Sequence, residues 1–491
     1  FQAEDGIRDL VRSRGLGDVY KRQTLELEST FTIKKGGAQM SEDALLNLIP
    51  QKNDAILAYR IFEGQAVIVD LEQGTLNMLN TTATRIWQLV EGNTPVRKIA
   101  EKIAQEFEVS FREAMDDAVE ILRNMASMRW ITNFSHENVR ADTANNNGTE
   151  IFEALREQAT QKRIPLVVHF DLTYRCPLRC IHCYLTGGKK QLECTLDETK
   201  NILDQLADAG SLYLTFSGGE IFLRDDLPEI IAHARKLHFA TRLLTSGVLM
   251  DAEKVEEVTD WHPEMVAFSI YDLNPSIHDA ITRKNGSLAK TLDAIHALKE
   301  KNVPLKISSV LMNSNIDGYR RLYSFAKKLG AQFQADYRIT PKTNGSQEPL
   351  KFHIGDQEVM QVLGDPIFSR ECESGSAQGY SGIFNTIPCG AGHMSCYISP
   401  YGVVTPCVQV PTECGNLREK TFLEIWDNSP ALEAFRAIRF SDMPKCANCD
   451  LFAYCRPCPG LNLVETGSIA TPPQRICKEA KYMKTLNKKR R

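Results

Sequence analysis

The fold is decided by the stretch Asp171-Leu-Thr-Tyr-Arg-Cys176-Pro-Leu-Arg-Cys180-Ile-His-Cys183-Tyr184, at the end of an apolar run over residues 166–172. The spacing Cys-x₃-Cys-x₂-Cys places three thiols in one loop. Thiolates are the ligands of iron–sulfur clusters, and a complete set is four. Three thiolates therefore predict a four-iron cluster with one iron left open. Structural zinc is the alternative, but it takes four closed ligands, and His182 lies between two of the cysteines.

Around this loop, apolar strand candidates alternate with amphipathic helical patterns. The strand candidates are residues 166–172, 212–216, 241–245, 265–270, 305–311 and 334–338. Repeated β-α units predict an α/β fold with a parallel sheet and covering helices. Six units are too few for a closed barrel of eight, so we expect a partial (β/α)6 TIM-type barrel over residues 164–345. In such folds the chemistry lies at the carboxyl ends of the strands.

Two further motifs follow later strands. Ser217-Gly218-Gly219-Glu220 ends the second strand candidate, and Thr245-Ser246-Gly247 ends the third. With the cysteine loop, in this order, they resemble the radical S-adenosylmethionine (radical SAM) superfamily. The resemblance implies that S-adenosylmethionine binds the open iron. The residues implied as its contacts are Gly218 and Gly219 for close backbone approach, Glu220 for the methionine ammonium and Ser246 for the ribose. Ser269 and Arg283 are candidates for the carboxylate and ribose, with ordinary turn and surface roles as the alternative.

The same resemblance implies the activity. One-electron reduction of bound S-adenosylmethionine gives a 5′-deoxyadenosyl radical, which takes a hydrogen atom from a substrate carbon. The electron comes from a donor such as flavodoxin or ferredoxin. The sequence does not single out a catalytic acid or base.

Cysteines are concentrated near the C-terminus: ten of the fourteen follow residue 345. Their layout resembles the SPASM domain, which holds two auxiliary clusters, so the resemblance implies three [4Fe–4S] clusters in all. Zinc in two four-cysteine sites is the alternative. Cys194, Cys372 and Cys414 are left over, and Cys372 or Cys414 is an alternative for one assigned ligand. The implied ligands are Cys389, Cys396, Cys407 and Cys458 for one site, and Cys446, Cys449, Cys455 and Cys477 for the other.

Residues 54–132 carry alternating stretches at 57–62, 66–70 and 75–79, followed by three helical patterns. With Tyr59-Arg-Ile-Phe-Glu-Gly64, Leu76-Asn-Met-Leu-Asn80, Ile86-Trp87 and Gly92, this winged-helix-like α+β module resembles the PqqD-like peptide-chaperone fold of pyrroloquinoline quinone biosynthesis. The resemblance implies that a leader peptide adds as a strand to the exposed edge strand and rests on the third helix. A DNA-binding winged helix is the alternative, but the acidic residues of that third helix disfavour a phosphate-facing surface. These residues are Glu113, Asp116, Asp117 and Glu120.

Composition bounds the remaining segments. The formal net charge of −4 gives no basic field for nucleic acid. No apolar run of about 18 residues predicts a membrane span, and no signal peptide is visible, so we expect a cytoplasmic protein. Residues 1–23 resemble translated adapter sequence. The other predicted segments are a non-native or disordered leader at 1–39, a linker at 133–163, a connecting region at 346–388, the SPASM domain at 389–480 and a basic tail at 481–491.

Together these features predict a maturase that abstracts hydrogen from a ribosomally made precursor peptide, recognised through its leader. The modification would be a thioether, a carbon–carbon crosslink or an epimerisation. One alternative is a radical SAM/SPASM enzyme acting on a cofactor precursor or a protein side chain. The alternative from another class is a zinc-stabilised peptide-binding protein.

Overall fold

The computed structural model describes residues 41–134, 148–186, 191–368, 386–447, 449–455 and 457–490. The predicted leader at 1–39, much of the predicted linker and connecting region, and Cys372 lie outside the described residues. The chain forms two compact units. The first contains residues 41–53 and 79–134, and the second contains residues 54–78 and the described residues from 148 onward.

Fourteen strands are present among the described residues. They are β1 Gln51–Lys52, β2 Leu57–Phe62, β3 Gln65–Asp70, β4 Thr75–Met78, β5 Ile131–Thr132, β6 Val167–Thr173, β7 Tyr213–Gly218, β8 Ala240–Thr245, β9 Met265–Ser269, β10 Leu305–Val310, β11 Gln332–Asp336, β12 Ser395–Ile398, β13 Val403–Thr405 and β14 Gly415–Asn416.

Seventeen α-helices accompany them in the same residues. They are α1 Glu42–Leu46, α2 Thr81–Leu89, α3 Val96–Glu106, α4 Phe111–Ser127, α5 Gly148–Lys162, α6 Leu196–Asp208, α7 Leu227–Lys236, α8 Ala252–Asp260, α9 Pro275–Thr282, α10 Ser287–Glu300, α11 Tyr319–Leu329, α12 Asp356–Gly364, α13 Phe422–Asn428, α14 Pro430–Arg436, α15 Pro444–Ala447, α16 Pro459–Thr466 and α17 Gln474–Arg490. No described helix has the length and apolar character needed to cross a membrane.

The first unit is a small helical body. Side-chain caps start two of its helices: Asn80 accepts a hydrogen bond from the Ala83 amide at 2.8 Å, and Ser110 accepts one from the Glu113 amide at 3.2 Å. The apolar faces of α2, α3 and α4 bury Trp87, among other residues. Strands β1 and β5 pair antiparallel and close the unit.

The second unit is built on one nine-stranded sheet with the order β11-β10-β9-β8-β7-β6-β12-β13-β14. Strands β6 to β11 are all parallel, and helices connect them. This confirms the predicted partial barrel. Strand β12 extends it, because it pairs parallel to β6, and β13 and β14 then add antiparallel. The C-terminal region thus shares its sheet with the barrel.

The antiparallel sheet β2-β3-β4 also belongs to the second unit. The Tyr59 amide donates to the His238 carbonyl at 3.1 Å, and the two rings stack with centroids 4.1 Å apart. Val67 and Val69 bury against Leu212 and other residues of the barrel and of α5. These three strands, predicted from sequence as part of a module with the following helices, therefore pack with the barrel.

Candidate functional site

The cysteine loop follows β6 and is held from two sides. The Gly219 amide donates to the Thr173 carbonyl at 2.7 Å, at the end of β7. On the other side, the Arg179 amide donates to the Thr282 carbonyl at 3.1 Å, at the end of α9. These backbone contacts fix the loop at the carboxyl end of the strands, where the sequence placed it.

Gly218 and Gly219 make this seating possible. A Cβ atom on Gly218 would lie 2.1 Å from the Thr173 carbonyl oxygen, and one on Gly219 would lie 2.1 Å from the Arg175 carbonyl oxygen. Gly218 also has a φ of +127°, which disfavours other residues. The sequence suggested glycine for close approach to a ligand. The structure shows that their backbone approaches the cysteine loop.

All three thiols of the loop line one cavity of about 1140 Å³. Burial, with smaller contributions from neighbouring thiols, raises the pKa of Cys176 to about 11 and that of Cys180 to about 12. Burial also raises the pKa of Cys183. Three crowded, desolvated thiols resist ionisation unless a cation compensates their charge. The donor set therefore fits an iron–sulfur cluster.

Five of the six residues predicted to contact S-adenosylmethionine line the same cavity. Ser269 lies at the end of β9, and its side chain shares a hydrogen bond with Tyr271, which in turn interacts with Cys180. Arg283 ends α9 in the left-handed region with a φ of 56°, an uncommon conformation for a side-chain-bearing residue. The five are Gly218, Gly219, Ser246, Ser269 and Arg283.

The sixth residue, Glu220, is completely buried. Its carboxylate accepts hydrogen bonds from the Thr245 hydroxyl at 2.7 Å, the Ser246 amide at 3.0 Å and the Ser246 hydroxyl. Burial raises its pKa, and these hydrogen bonds oppose the shift. In this structure Glu220 and Ser246 therefore bind each other and join the ends of β7 and β8.

Sequence reasoning missed a polar network on the barrel's inner wall. His169 lines the cavity, and its Nε2 lies 3.1 Å from the carboxylate of the fully buried Asp171. The Tyr397 hydroxyl donates to Asp171 at 2.7 Å and lies 2.6 Å from the Tyr174 hydroxyl. The signal in the sequence was the alternation of His169 and Asp171 on β6, which puts both on one face of the strand.

In the C-terminal region, one group of thiols comprises Cys389, Cys407 and Cys458. Burial, followed by the proximity of Cys458 and Cys389, raises the pKa of Cys407 to about 11. Gln409 bridges two members, because its amide donates to Cys407 Sγ at 3.3 Å and Cys458 Sγ donates to its Oε1 at 3.6 Å.

A second group is the set of four predicted for the other auxiliary site. Burial, then the charges of Cys446, Cys477 and Cys449 among others, raises the pKa of Cys455 to about 12. The structure therefore brings these four cysteines together, although 31 positions separate the first from the last in the sequence.

Cys396, assigned from sequence to the first group, lies elsewhere. It is 3% exposed on β12 and packs in the main hydrophobic core with Cys414. Cys414 is also the thiol whose charge contributes to raising the pKa of Cys396, after burial.

Among the described residues, no three or more Cys, His, Asp or Glu side chains converge as ligands of a single metal ion. A four-iron cluster distributes its thiolates over different irons, so its ligands need not share one ion.

Comparisons with known families agree with this architecture. Residues 170–326 match the radical SAM superfamily, residues 65–131 match coenzyme PQQ synthesis protein D (PqqD), and residues 389–450 match an iron–sulfur cluster-binding domain, SPASM. The chain is a radical SAM enzyme. More particularly, it combines the radical SAM domain with a PqqD-like element and a SPASM domain, and S-adenosylmethionine and iron–sulfur clusters are its cofactors.

Individual relatives align with long stretches of the chain. The chain is 26% identical over 444 residues to the antilisterial bacteriocin subtilosin biosynthesis protein AlbA of Bacillus subtilis, covering 84% of this chain and 93% of AlbA. It is 27% identical over 331 residues to the AdoMet-dependent heme synthase of Methanosarcina barkeri, covering 62% of this chain and 93% of that protein. The crystal structure of Streptococcus suis SuiB bound to precursor peptide SuiA covers 87% of this chain and 99% of SuiB, with a TM-score of 0.58. At 17% identity, this last similarity concerns the fold.

Proposed function

We propose that this enzyme modifies a ribosomally made precursor peptide by abstracting a hydrogen atom from it. The observation that carries the proposal is the joining, in one chain, of the three-thiol cavity with a PqqD-like element. A cavity of about 1140 Å³ exceeds the usual range of about 300–1,000 Å³ for small-ligand sites. It therefore has room for a cofactor and for part of a peptide.

At the radical site, Cys176, Cys180 and Cys183 hold the first cluster and leave one iron for S-adenosylmethionine. When bound there, S-adenosylmethionine supplies the radical that takes hydrogen from substrate. Gly218 and Gly219 keep the cysteine loop against β7, so that the three cysteines that would hold the cluster line the cavity. Glu220 is proposed to receive the methionine ammonium and to exchange its bonds with Ser246 for that contact. Ser246, Ser269 and Arg283 are proposed to bind the ribose and carboxylate.

The proposal includes three [4Fe–4S] clusters. Support for the second auxiliary cluster, the third cluster of the chain, comes from the grouping of Cys446, Cys449, Cys455 and Cys477. Cys389, Cys407 and Cys458 support the first auxiliary cluster. Burial raises the pKa of Cys389, Cys407, Cys446 and Cys455, so these thiols also need a compensating cation to ionise.

A peptide substrate is favoured by the relatives. AlbA, which is named for bacteriocin biosynthesis, aligns with most of this chain, and SuiB has been crystallised with a precursor peptide. The backbone of β2 is hydrogen-bonded to the barrel, because the Tyr59 amide donates to the His238 carbonyl. Strand β4 pairs only with β3 among the described strands. The edge of β4 that pairs with no described strand suits addition of a leader strand.

The second candidate is modification of a cofactor precursor, which the similarity to AdoMet-dependent heme synthase favours. The similarity to the heme synthase covers 62% of the chain, whereas the similarity to AlbA covers 84%. The chain also contains a match to PqqD at residues 65–131. A cofactor precursor gives no reason for a leader-binding element. We therefore place the peptide first.

Further parts of the proposal follow from the enzyme class. A flavodoxin or ferredoxin supplies electrons, and the protein works in the cytoplasm. The domains are proposed at 54–132, 164–345 and 389–480, joined by segments at 133–163 and 346–388. The N-terminal 1–39 and the basic tail at 481–491 have no catalytic role in this proposal.

Anaerobic reconstitution tests the enzyme. The full chain should hold about twelve iron atoms, as three four-iron clusters require, and form 5′-deoxyadenosine with dithionite. The triple variant Cys176→Ala, Cys180→Ala, Cys183→Ala should lose about four iron atoms and all 5′-deoxyadenosine. Cys194→Ala is the matched control, because Cys194 is a buried thiol outside the loop. Zinc without iron in the unaltered chain would contradict the proposal.

Hydrogen exchange tests the substrate. Co-expression with short peptides encoded beside this gene should yield one with an altered mass. Adding that full precursor should slow amide exchange at residues 75–78, whereas its leaderless core should not. Equal protection by both peptides would rule out docking on β4.

A further inference from the structure

The cavity that the three thiols line continues along the inside of the barrel, toward the beginnings of the strands. The cysteine loop lies where the strands end, whereas Arg242 and Lys306 line the same cavity from earlier positions in β8 and β10. Lys306 comes four residues before Val310, the last residue of β10, which corresponds to about 13 Å along the strand. The cavity therefore has a second, cationic end.

The charge of Arg242 is already compensated at this end. Its Nη2 donates to one carboxylate oxygen of Glu264 at 3.0 Å, and its Nε donates to the other. The guanidinium also lies over the ring of Tyr213, 4.7 Å from the ring centroid. Tyr213 belongs to the apolar cluster through which β2 and β3 pack against the barrel. Arg242 is therefore fixed in place, and it engages both oxygens of Glu264.

The side chain of Lys306 is directed into the cavity by the strand that carries it. Lys306 and Ser308 both line the cavity, and Ile307 between them lies in the main hydrophobic core. Since successive side chains of a strand point to opposite faces, Lys306 has no access to the outer face of the barrel. Its ammonium is therefore committed to the cavity.

No carboxylate of the chain compensates this ammonium. Lys306 forms no ion pair or side-chain hydrogen bond with any residue that the structure describes. Burial, followed by the charge of Arg242, lowers the pKa of Lys306, and the charge of Glu264 opposes the shift without cancelling it. A partly desolvated ammonium in these surroundings is stabilised when an anion binds it through a charge-assisted hydrogen bond.

The acidic residues of the cavity lie at its other end or have partners of their own. Among the described residues that line it, only Asp336 and Glu348 carry a carboxylate. Asp336 pairs with Val310 at the carboxyl end of the strands, and Glu348 accepts from the ammonium of Lys342 at 2.6 Å. The cationic end thus suits an anion that comes from outside the chain.

We infer that Lys306 determines substrate specificity by binding a carboxylate of the substrate peptide, supplied by an aspartate or glutamate side chain or by the C-terminus. This inference rests on the proposed function, since it takes the substrate to be a peptide. The distance from Lys306 to the end of β10 sets the position of that carboxylate, because an extended peptide covers it in about four residues. The acidic group should therefore lie within about four residues of the modified one.

The anion site is tested first without any peptide, on the reconstituted full chain. Trinitrobenzenesulfonate, an anionic reagent, modifies lysine amines, and mass spectrometry of the digested protein follows each lysine. Saturating glutarate should slow modification of Lys306 several-fold relative to sodium chloride of the same ionic strength. It should leave Lys290, an exposed lysine on α10, unaffected. Equal rates at Lys306 in both salts, or a Lys306 that the reagent never reaches, would overturn the anion site.

The second arm uses the precursor identified by its altered mass. Each aspartate and glutamate of its core is replaced in turn by the corresponding amide, and a C-terminal amide tests the other source. One of these changes should lower kcat/KM about tenfold, as expected for loss of a charge-assisted hydrogen bond. Lys306→Met should cause the same loss with the unaltered precursor and no further loss with the altered one. Lys306→Arg should recover most of the activity, and Lys290→Met is the matched control.

The two arms separate this inference from the proposed function. If no peptide is modified, the proposed function fails and the inference fails with it. If a peptide is modified but the losses from Lys306→Met and from every precursor change simply multiply, the inference alone is overturned. Iron content equal to that of the parent shows that Lys306→Met is folded, and Lys306→Gln takes its place in the comparison if it is not.

Discussion

The carboxylate of Glu220 accepts a hydrogen bond from the hydroxyl of Thr245 at 2.7 Å, which ties the end of β7 to the end of β8. The fully buried Glu220 and the partly buried Ser246 together form an anchor next to the proposed S-adenosylmethionine site. The same carboxylate therefore serves both the barrel's stability and the proposed cofactor contact.

Replacing Glu220 with Gln should lower the stability of the barrel and weaken the binding of S-adenosylmethionine. An amide nitrogen would face donors at Ser246, and the unsatisfied groups should lower the free energy of unfolding by about 1–3 kcal/mol. Loss of the charge should also weaken S-adenosylmethionine binding by at least about tenfold, as expected when an ion pair with the ammonium is lost. Urea unfolding and equilibrium dialysis measure the two effects. The exposed Glu229→Gln is the control, and an unchanged dissociation constant for Glu220→Gln would rule out the ammonium contact.

Adding one methyl group at Gly219 should unseat the cysteine loop. Its Cβ would lie 2.1 Å from the Arg175 carbonyl oxygen, so Gly219→Ala must displace backbone. We expect the variant to lose the radical-site iron and about 3 kcal/mol or more of stability, as for other overpacked positions. Gly148→Ala is the matched control, because nothing lies within 4 Å of its Cβ position. Iron analysis that shows full occupancy in Gly219→Ala would refute this seating role.

Removing the Tyr397 hydroxyl should deprive the buried carboxylate of Asp171 of a hydrogen-bond donor. Tyr397→Phe deletes the donor at 2.7 Å and leaves a carboxylate oxygen unsatisfied, which should cost about 1–3 kcal/mol of stability. Asp171→Asn in the same protein should recover part of that loss, because no charge then needs the donor. A double-mutant cycle of unfolding free energies measures the coupling. Strict additivity of the two variants would contradict the direct interaction.

The pair Glu198–Arg418 should contribute a small, pH-dependent stabilisation. Arg418 donates to Glu198 at 2.7 and 2.9 Å, and this hydrogen bonding lowers the pKa of Glu198 to about 2. The stabilisation is therefore present above the unfolded value near 4.5 and is lost as the pH falls from there toward 2. The pair is partly exposed, so Glu198→Gln should cost about 0.5–1 kcal/mol at pH 7.

Unfolding of the cluster-free protein measures this difference. It should shrink below pH 4.5 until variant and parent coincide, whereas a difference that stays constant to pH 2 would exclude the ion pair as its cause.

Sequence patterns predicted the barrel strands well because the chemistry-bearing motifs end them. Each of Cys176, Gly218 and Ser246 follows an apolar run that the structure confirms as β6, β7 or β8. The short strands β12 to β14 were not predicted, since runs of two to four residues among glycines and prolines carry little periodic signal. Pairing of β12 with β6 is a contact between distant segments.

The same limit applies to Cys396. The resemblance to the SPASM domain implied that it joins Cys389 and Cys407, because that assignment follows the order of cysteines in the chain. Its burial depends on the face of β12 that meets the core. The polar network of His169 and Asp171 was likewise visible only once β12 brought Tyr397 beside them.

The attachment of β2 to the barrel has a practical consequence for engineering hybrid enzymes. The Arg235 guanidinium on α7 donates to the carbonyls of Asp54, Ala55 and Leu57, so this side chain holds the start of β2 against the barrel. Transplanting residues 54–132 as one block, to exchange the proposed leader specificity with another maturase, would therefore remove β2, β3 and β4 from the barrel on which they pack. Splice points at 53/54 and 78/79 would leave β2, β3 and β4 with the recipient barrel.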